Sequence, residues 1–343
     1  MSIAPHQTAH RSAPKQAALQ AAPPNGADIV LSCEGVSHSF GPKAVLHDIH
    51  LAIARGQITA LVGPSGSGKS TLLRAILGTH PPVHGTVTCD NKPVSAPGQD
   101  RGIVYQRYTL YPFLTALQNV AFGLLVGYTS PLDRIARPFR FHAMRKEHLA
   151  RSEAMLVSLG LGKSLHQYPA EMSGGMCQRV AIAQALIMRP RVLLLDEPFG
   201  ALDEATREEL QMVLLKLYGE NLAAKGASKQ PPHTILIVTH ELNEAIYVSD
   251  RVLGLSQYWQ WEAEGHKACP GATIVYDEVA PVFSPTQPME YDQLRAQRAD
   301  IRRVVMEPEP RRARLDNVRF WQQVVQGKGG GMFSPAAFGP YPK

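Results

Sequence analysis

Residues 63–71 read Gly63-Pro64-Ser65-Gly66-Ser67-Gly68-Lys69-Ser70-Thr71, the complete G-x-x-x-x-G-K-[ST] pattern, and few nine-residue stretches constrain a fold so tightly. The apolar run Ile58-Thr59-Ala60-Leu61-Val62 stands ahead of it and reads as a buried parallel strand. Leu72-Leu73-Arg74-Ala75-Ile76-Leu77 follows and reads as a helix closed by Gly78. In this strand–loop–helix setting the glycines let the backbone wrap an anion with no Cβ in the way. Successive N–H groups and the positive end of the helix dipole then face that anion. The expected occupant is a nucleoside triphosphate, with Lys69 reaching the β- and γ-phosphates and the Ser70 hydroxyl ligating Mg²⁺.

A second stretch supplies what phosphoryl transfer to water requires. Val192-Leu193-Leu194-Leu195 is a buried-strand pattern that delivers two adjacent carboxylates, Asp196 and Glu197, to its end. One carboxylate is needed for the metal and one group to orient or deprotonate the attacking water. In an extended chain the two side chains point oppositely, so Asp196 is expected to face Mg²⁺ and Glu197 the water. A third stretch, Met172-Ser173-Gly174-Gly175-Met176-Cys177-Gln178-Arg179, places a serine and two glycines at a helix start, a second anion-binding end.

The rest of the chain fits around these stretches. Apolar runs from Ile29 to Ala54, broken by Gly41-Pro42, take up period-two spacing from Ile49 onward, and Val83–Val87 reads as a further strand of the same antiparallel sheet. Gly102–Tyr105 reads as a short buried strand that ends at Gln106. Between about Thr115 and Ala170 the pattern is helical, punctuated by Pro131, Pro138 and Pro169. After Ser173 strand and helix alternate: helix Gln178–Met188, strand Val192–Leu195, helix Glu204–Tyr218, a flexible loop at 219–232, strand Thr234–Val238, helix Glu241–Val248 and strand Val252–Leu255. The predicted fold is α/β with a mostly parallel sheet, an antiparallel β subdomain and a helical subdomain, nucleotide lying at the carboxyl ends of the parallel strands.

These stretches together resemble the ATP-binding cassette family. Residues 172–179 are similar to its signature Leu-Ser-Gly-Gly-x-x-Gln-Arg, with Met172 in the first position. Gln106 resembles the Q-loop glutamine, Ala201-Leu202-Asp203 the D-loop and His240 in Val238-Thr239-His240-Glu241 the switch histidine. Phe40 matches the aromatic that stacks on adenine, where Tyr is more familiar. The resemblance covers about residues 29–256 and implies catalytic roles for Glu197, His240 and Gln106. It implies nucleotide contacts from Phe40, the loop 63–71, Ser173, Gly174, Gly175 and Asp203, and Mg²⁺ ligation by Ser70, Gln106 and Asp196. In the family the signature residues complete the site of the opposite subunit. A single-module chain such as this one, with no internal repeat, is therefore expected to homodimerise around ATP and to act on membrane permease subunits through the segment 107–175. Tyr111-Pro112-Phe113-Leu114-Thr115 and Leu117-Gln118-Asn119-Val120 resemble the importer branch for nitrate, sulfonate and taurine, which implies a solute-binding protein as an indirect partner. An exporter or lipoprotein-release ATPase, or a cassette acting on nucleic acid or ribosomes, is the alternative.

Composition narrows the setting. With 343 residues and 44% hydrophobic content the chain easily supplies a core, yet no stretch approaches the roughly 18–20 apolar residues of a membrane span. With no signal pattern at the N-terminus, the expected location is the cytoplasmic face of the membrane, peripherally bound. Cys33, Cys89, Cys177 and Cys269 have neither zinc nor disulfide spacing. The net charge of +6 is mild, and the arginines from Arg295 to Arg314 come without the aromatic-studded surface or reading helix of a nucleic-acid binder, so no nucleic acid is expected. The basic run Arg134, Arg137, Arg140, Arg145 and Lys146 reads as a solvated face, with contact to a permease or lipid headgroups as the alternative. Tyr105 and Tyr108 read as packing. Residues 1–27 are expected to be a disordered tail, 28–256 the ATPase domain, and 257–343 a C-terminal extension that ends in disorder from Gly327 onward.

Overall fold

The structure is a computed structural model that describes residues 22–127, 138–200, 202–280 and 291–328. Arg134, Arg137, Pro131, Ala201, most of the N-terminal tail and the chain from Gly329 onward lie outside the described residues.

Two sheets carry the molecule. A four-stranded antiparallel sheet has the order β2-β1-β4-β5, from β1 (Ile29–Phe40), β2 (Lys43–Ala54), β4 (His84–Cys89) and β5 (Lys92–Pro93). A seven-stranded sheet has the order β11-β10-β9-β3-β8-β7-β6. Its members are β3 (Ile58–Val62), β6 (Arg101–Val104), β7 (Val192–Asp196), β8 (Ile235–Val238), β9 (Arg251–Ser256), β10 (Thr273–Val279) and β11 (Asn317–Val318). The pairs β3–β8, β3–β9, β7–β8 and β6–β7 are parallel, and β10 is antiparallel to β9. The expected mostly parallel sheet is therefore present.

Period-two alternation decides what each face of the large sheet touches. Leu193, Leu195, Ile235 and Ile237 face one core, shared with the helices α2 (Ala116–Gly127), α3 (Pro138–Ser158), α4 (Gly174–Leu186) and α5 (Glu204–Gly226). Leu194, Leu236, Val238, Leu61 and Leu253 face the other, shared with the antiparallel sheet and α1 (Lys69–Leu77). A side chain buried this completely contributes about 1.5–3 kcal/mol, and both faces of the central strands are filled, so their positions at the site are fixed by packing.

Two expectations change. The loop anticipated at 219–232 begins late, because α5 runs on through Gly226. Asn221, on that added turn, is fully buried and holds the return of the chain: its amide donates to the Gly56 and His233 carbonyls at 2.8 and 2.6 Å and accepts from the His233 N–H at 2.9 Å. The segment after residue 256 is also joined to the large sheet, since it supplies β10 and β11. Arg251 of β9 pairs with Asp277 of β10 through two bonds of 2.7 and 2.6 Å and donates to the Ala52 carbonyl at 2.6 Å. Its guanidinium also lies over the Phe320 ring of α8 (Phe320–Val325), 4.2 Å from the centroid. A charge so deeply buried persists only with this full set of partners.

The sequence 111–120 folds as a clamp at the start of α2. Thr115 and Gln118 form a reciprocal cap, the Thr115 N–H donating to Gln118 Oε1 at 3.0 Å and the Gln118 N–H to Thr115 Oγ1 at 3.3 Å. Buried Asn119 accepts from the Tyr111 N–H at 2.8 Å and donates to the carbonyls of Tyr111, Leu114 and Thr115. Arg145 and Lys146 on α3 are exposed, as a solvated face requires, whereas Tyr105 and Tyr108, expected to pack, are exposed as well. All four cysteines are free.

Candidate functional site

The carboxyl ends of β3, β6, β7 and β8 converge on one corner. β3 ends at Val62, the loop follows, and α1 starts at Lys69. Gly68 has φ 93°, a left-handed conformation, and a Cβ there would lie 2.8 Å from Leu46 Cδ2 and 2.9 Å from Val45 Cγ1, so no other residue fits this turn without displacement. Ser67 is only 1% exposed and its hydroxyl has no hydrogen-bond partner among the described residues, a buried polar group within the loop. Lys69 is buried; its ammonium donates to the carbonyls of Gly63 at 2.7 Å and Pro64 at 3.1 Å. Burial lowers its pKa, and the nearby charges of Glu197 and Asp196 pull it back up.

Asp196 closes β7, half-buried, and makes no side-chain hydrogen bond or ion pair among the described residues. Burial and then the neighbouring Glu197 raise its pKa, against the opposite pull of Arg74 and Lys69. At Glu197 the chain is not extended, as the sequence reading supposed, but turns: φ is 50°, unusual for a residue with a Cβ. The Glu197 N–H donates to the Val238 carbonyl at 2.8 Å and holds this turn. The turn delivers Glu197 to His240. Glu197 Oε2 lies 2.7 Å from His240 Nδ1 and also accepts from the His240 N–H at 3.3 Å. Backbone strain held by the surrounding structure is commonest where a side chain must be aimed. Gln106 reaches the same corner from the end of β6: an ideal Cβ on Gly200 would lie 3.2 Å from Gln106 Nε2 and 4.0 Å from Glu197 Cβ.

A second group gathers at the starts of α4 and α5. Ser173 is the N-cap of α4, its hydroxyl accepting from the Met176 N–H at 3.2 Å. Asp203 is the N-cap of α5 and accepts from the Thr206 N–H at 3.0 Å and the Thr206 hydroxyl at 2.8 Å, which lowers its pKa. Gly175 packs directly on Thr206. Among the described residues no hydrogen bond or ion pair joins this group to the loop 63–71. Phe40, at the end of β1, is 48% exposed and touches His38 edge-on with ring centroids 4.7 Å apart, so much of its ring is available for stacking.

The pattern of the ABC transporter family matches residues 46–200. The bicarbonate transport ATP-binding protein CmpD of Synechocystis sp. is 39% identical over 227 residues, covering 65% of this chain and 73% of the relative. The nitrate import ATP-binding protein NrtD of Synechococcus elongatus is 40% identical over 213 residues, or 62% of this chain and 70% of the relative. The taurine import ATP-binding protein TauB of Yersinia pestis is 40% identical over 227 residues, or 66% and 80%. The chain belongs to the ABC transporter ATP-binding proteins. Among solved structures, the dimeric bacterial ABC transporter cassette MJ0796 superposes with a TM-score of 0.55 at 29% identity, covering 74% of this chain and all of that one. The same cassette in a dimeric post-hydrolysis state bound to ADP and Pi gives 0.55 at 28% identity.

As an ABC transporter ATP-binding protein the chain binds and hydrolyses ATP. Lys69, Asp196, Glu197 and His240, the residues singled out in the sequence, lie at the corner where the strand ends converge, while Thr206, which joins the two capped helix starts, is not among them. Nor are Arg207 of α5 and Glu244 of α6 (Leu242–Val248), whose ion pair at 2.9 Å links the helices that follow Asp203 and His240. The Arg207–Glu244 pair and the Gly175–Thr206 contact have no local sequence signal, because each depends on which helices become neighbours.

Proposed function

We propose that this cassette powers an importer of a small oxyanion or sulfonate, with the Glu197–His240 contact as its hydrolytic corner. The 2.7 Å approach of His240 Nδ1 to Glu197 Oε2, near the buried Lys69, is the observation that carries the reading. Glu197 accepts a proton from the attacking water, and His240 fixes the carboxylate's orientation and adds a donor toward the transferring phosphoryl group. Lys69 exchanges its contacts with the Gly63 and Pro64 carbonyls for phosphate oxygens, and the orphaned Ser67 hydroxyl gains an acceptor. Phe40 stacks on the adenine.

The donor set at Asp196 fits Mg²⁺, because a hydroxyl, an amide oxygen and a carboxylate are all hard oxygen ligands. Ser70, Gln106 and Asp196 would hold it, and when bound it supplies charge neutralisation on the phosphates.

Ser173, Gly174, Gly175 and Asp203 form a second anion-binding face remote in bonding from the loop of the same chain. This supports a head-to-tail homodimer in which each copy completes the other's site, as in the dimeric cassettes to which the fold is similar. The permease subunits dock at the helical subdomain, where a cavity of about 320 Å³ is lined by the exposed Tyr105 and Tyr108 together with Gly123, Gln184, Ala185 and Met188. Among the described residues no helix is long and apolar enough to cross a membrane, which fits a peripheral subunit on the cytoplasmic side. Oxyanion or sulfonate cargo follows the relatives, whose names specify bicarbonate, nitrate and taurine. The test is ATP-dependent uptake in vesicles that hold the permease, with its solute-binding protein and nitrate, bicarbonate or taurine supplied. Stimulation by one of these solutes supports the reading; outward movement of substrate, or none, rejects it.

A further inference from the structure

The segment between β9 and β10 folds back over the antiparallel sheet and brings a set of side chains together that ATP hydrolysis does not use. It is anchored to β2 by two backbone bonds of 2.9 Å, from the His47 N–H to the Ala272 carbonyl and from the Ala272 N–H to the Val45 carbonyl. Trp259 is fully buried beneath it and donates to the Gly271 carbonyl at 3.1 Å. Between this segment and the sheet lies a cavity of about 820 Å³, lined by Ser37, His38, His47, His84, Glu264 and His266 among others.

His47 comes from β2, Glu264 from the end of a 3-10 turn (Trp261–Glu264) and His266 from two residues later. One ligand atom from each lies within 4.8 Å of the other two, and all three residues are half-buried. Neither imidazole has a hydrogen-bond partner among the described residues, so their ring nitrogens are not committed elsewhere. Both rings are nonetheless positioned. His47 stacks on Trp259 with the planes 12° apart and centroids at 5.7 Å, and His266 meets His47 edge-on at 4.9 Å. Glu264 is held from behind: Arg314 lies 2.9 Å from one of its oxygens and, through its other arm, 2.9 Å from Asp48. That leaves the second carboxylate oxygen of Glu264 for a ligand.

We propose that His47, Glu264 and His266 form a binding site for a zinc-class divalent transition metal that fastens the 257–272 segment to β2. Two imidazole nitrogens and one carboxylate oxygen are the donor set such ions prefer, whereas Mg²⁺ and Ca²⁺ take oxygens. Bonds of about 2.0–2.2 Å at a tetrahedral centre put donors roughly 3.4 Å apart, so about an ångström of side-chain rotation closes the site. The fourth position falls to water from the cavity. The Arg314 ion pair orients Glu264 as outer partners orient the carboxylates of metal sites, while stacking on Trp259 and edge contact between the rings position the two imidazoles. The cavity also reaches His38, whose ring touches Phe40, the expected adenine contact.

The experiment uses the full chain stripped with EDTA, titrated calorimetrically with ZnCl₂ in the absence of Mg²⁺ and nucleotide, with Co²⁺ absorption reporting the geometry. The expected result is one saturable Zn²⁺ per chain, a tetrahedral Co²⁺ spectrum, and a melting temperature that rises with Zn²⁺. Glu264→Gln and His266→Ala are each expected to weaken Zn²⁺ at least about 10-fold and to abolish the melting shift. His266→Ala leaves the Arg314 ion pairs untouched, so it reports on the metal even if Glu264→Gln fails to fold. No saturable Zn²⁺ in the wild type, or an affinity unchanged in His266→Ala, overturns the proposal. ATP turnover is not the readout, so the result is independent of the transport reading.

Discussion

Gly175 lies so close to Thr206 that a Cβ on the glycine would fall 1.6 Å from Thr206 Cγ2 and 3.0 Å from Thr206 Cβ. The start of α4, which Ser173 caps, is thereby locked against the start of α5, which Asp203 caps through the same Thr206. Movement of one helix start is expected to carry the other with it.

Gly175→Ala is expected to destabilise the fold by about 1–3 kcal/mol, the usual cost of overpacking, and to lower ATP turnover. Thr206→Ser removes the clashing methyl while keeping the hydroxyl that binds Asp203, and is expected to restore part of both losses. Chemical denaturation of the two single variants and the double variant measures the coupling; additive effects would show that the contact is unimportant.

Ser173 caps α4, and the proposed function gives it a second task, facing phosphate. Ser173→Asp keeps a carboxylate acceptor for the Met176 N–H and is expected to hold stability within about 1 kcal/mol of wild type. The added negative charge, however, is expected to abolish hydrolysis. Mixing it with Lys69→Ala subunits is expected to restore one working site per dimer, because the sound Ser173 of one copy then meets the sound Lys69 of the other. Turnover measured across the mixing ratio checks this, and no recovery at any ratio, or full activity in a monomeric preparation, would count against shared sites.

Phe40 presents nearly half of its ring to solvent at the end of β1. Replacement by Ala is expected to cost about 1–3 kcal/mol of ATP affinity, by the worth of base–aromatic stacking, while Phe40→Tyr retains it. Fluorescent-nucleotide titration distinguishes this from a packing role, which would lower the melting temperature and leave affinity unchanged.

Glu244 links the switch side of the molecule to Arg207, and burial pushes its carboxyl up to about 7, with Arg207 acting in the opposite sense. A folded-state pKa above the ordinary 4.5 means that the native state holds a proton the unfolded chain releases. Stability from this group is therefore complete below about 4.5 and declines as pH rises toward about 7. Denaturation midpoints across this window are expected to fall more steeply in wild type than in Glu244→Gln. Parallel slopes would remove Glu244 from the pH dependence.

The sequence was most informative where chemistry and local geometry coincide. Strand, loop and helix around Lys69 are encoded within twenty contiguous residues, and the four aliphatics before Asp196 could only be a strand buried on both faces. It was least informative where neighbours are remote. Helix α5 continues through Gly226 because Asn221 is clamped by Gly56 and His233, contacts that span up to 165 residues. The strands β10 and β11 join the main sheet because Asp277 answers the buried charge of Arg251. Period-two alternation expects an extended chain through Asp196 and Glu197, whereas the chain takes a left-handed turn at Glu197, held by the Val238 carbonyl. Sites of local strain are where pattern reading is expected to fail.

The hydrolytic role of the Glu197–His240 corner is tested most directly by single-turnover ATP hydrolysis in Glu197→Gln, alongside ATP binding. The account predicts that turnover falls by roughly 10²–10⁴ while ATP still binds, because Gln retains the shape but cannot take the proton. Near-normal turnover in the purified variant would contradict it.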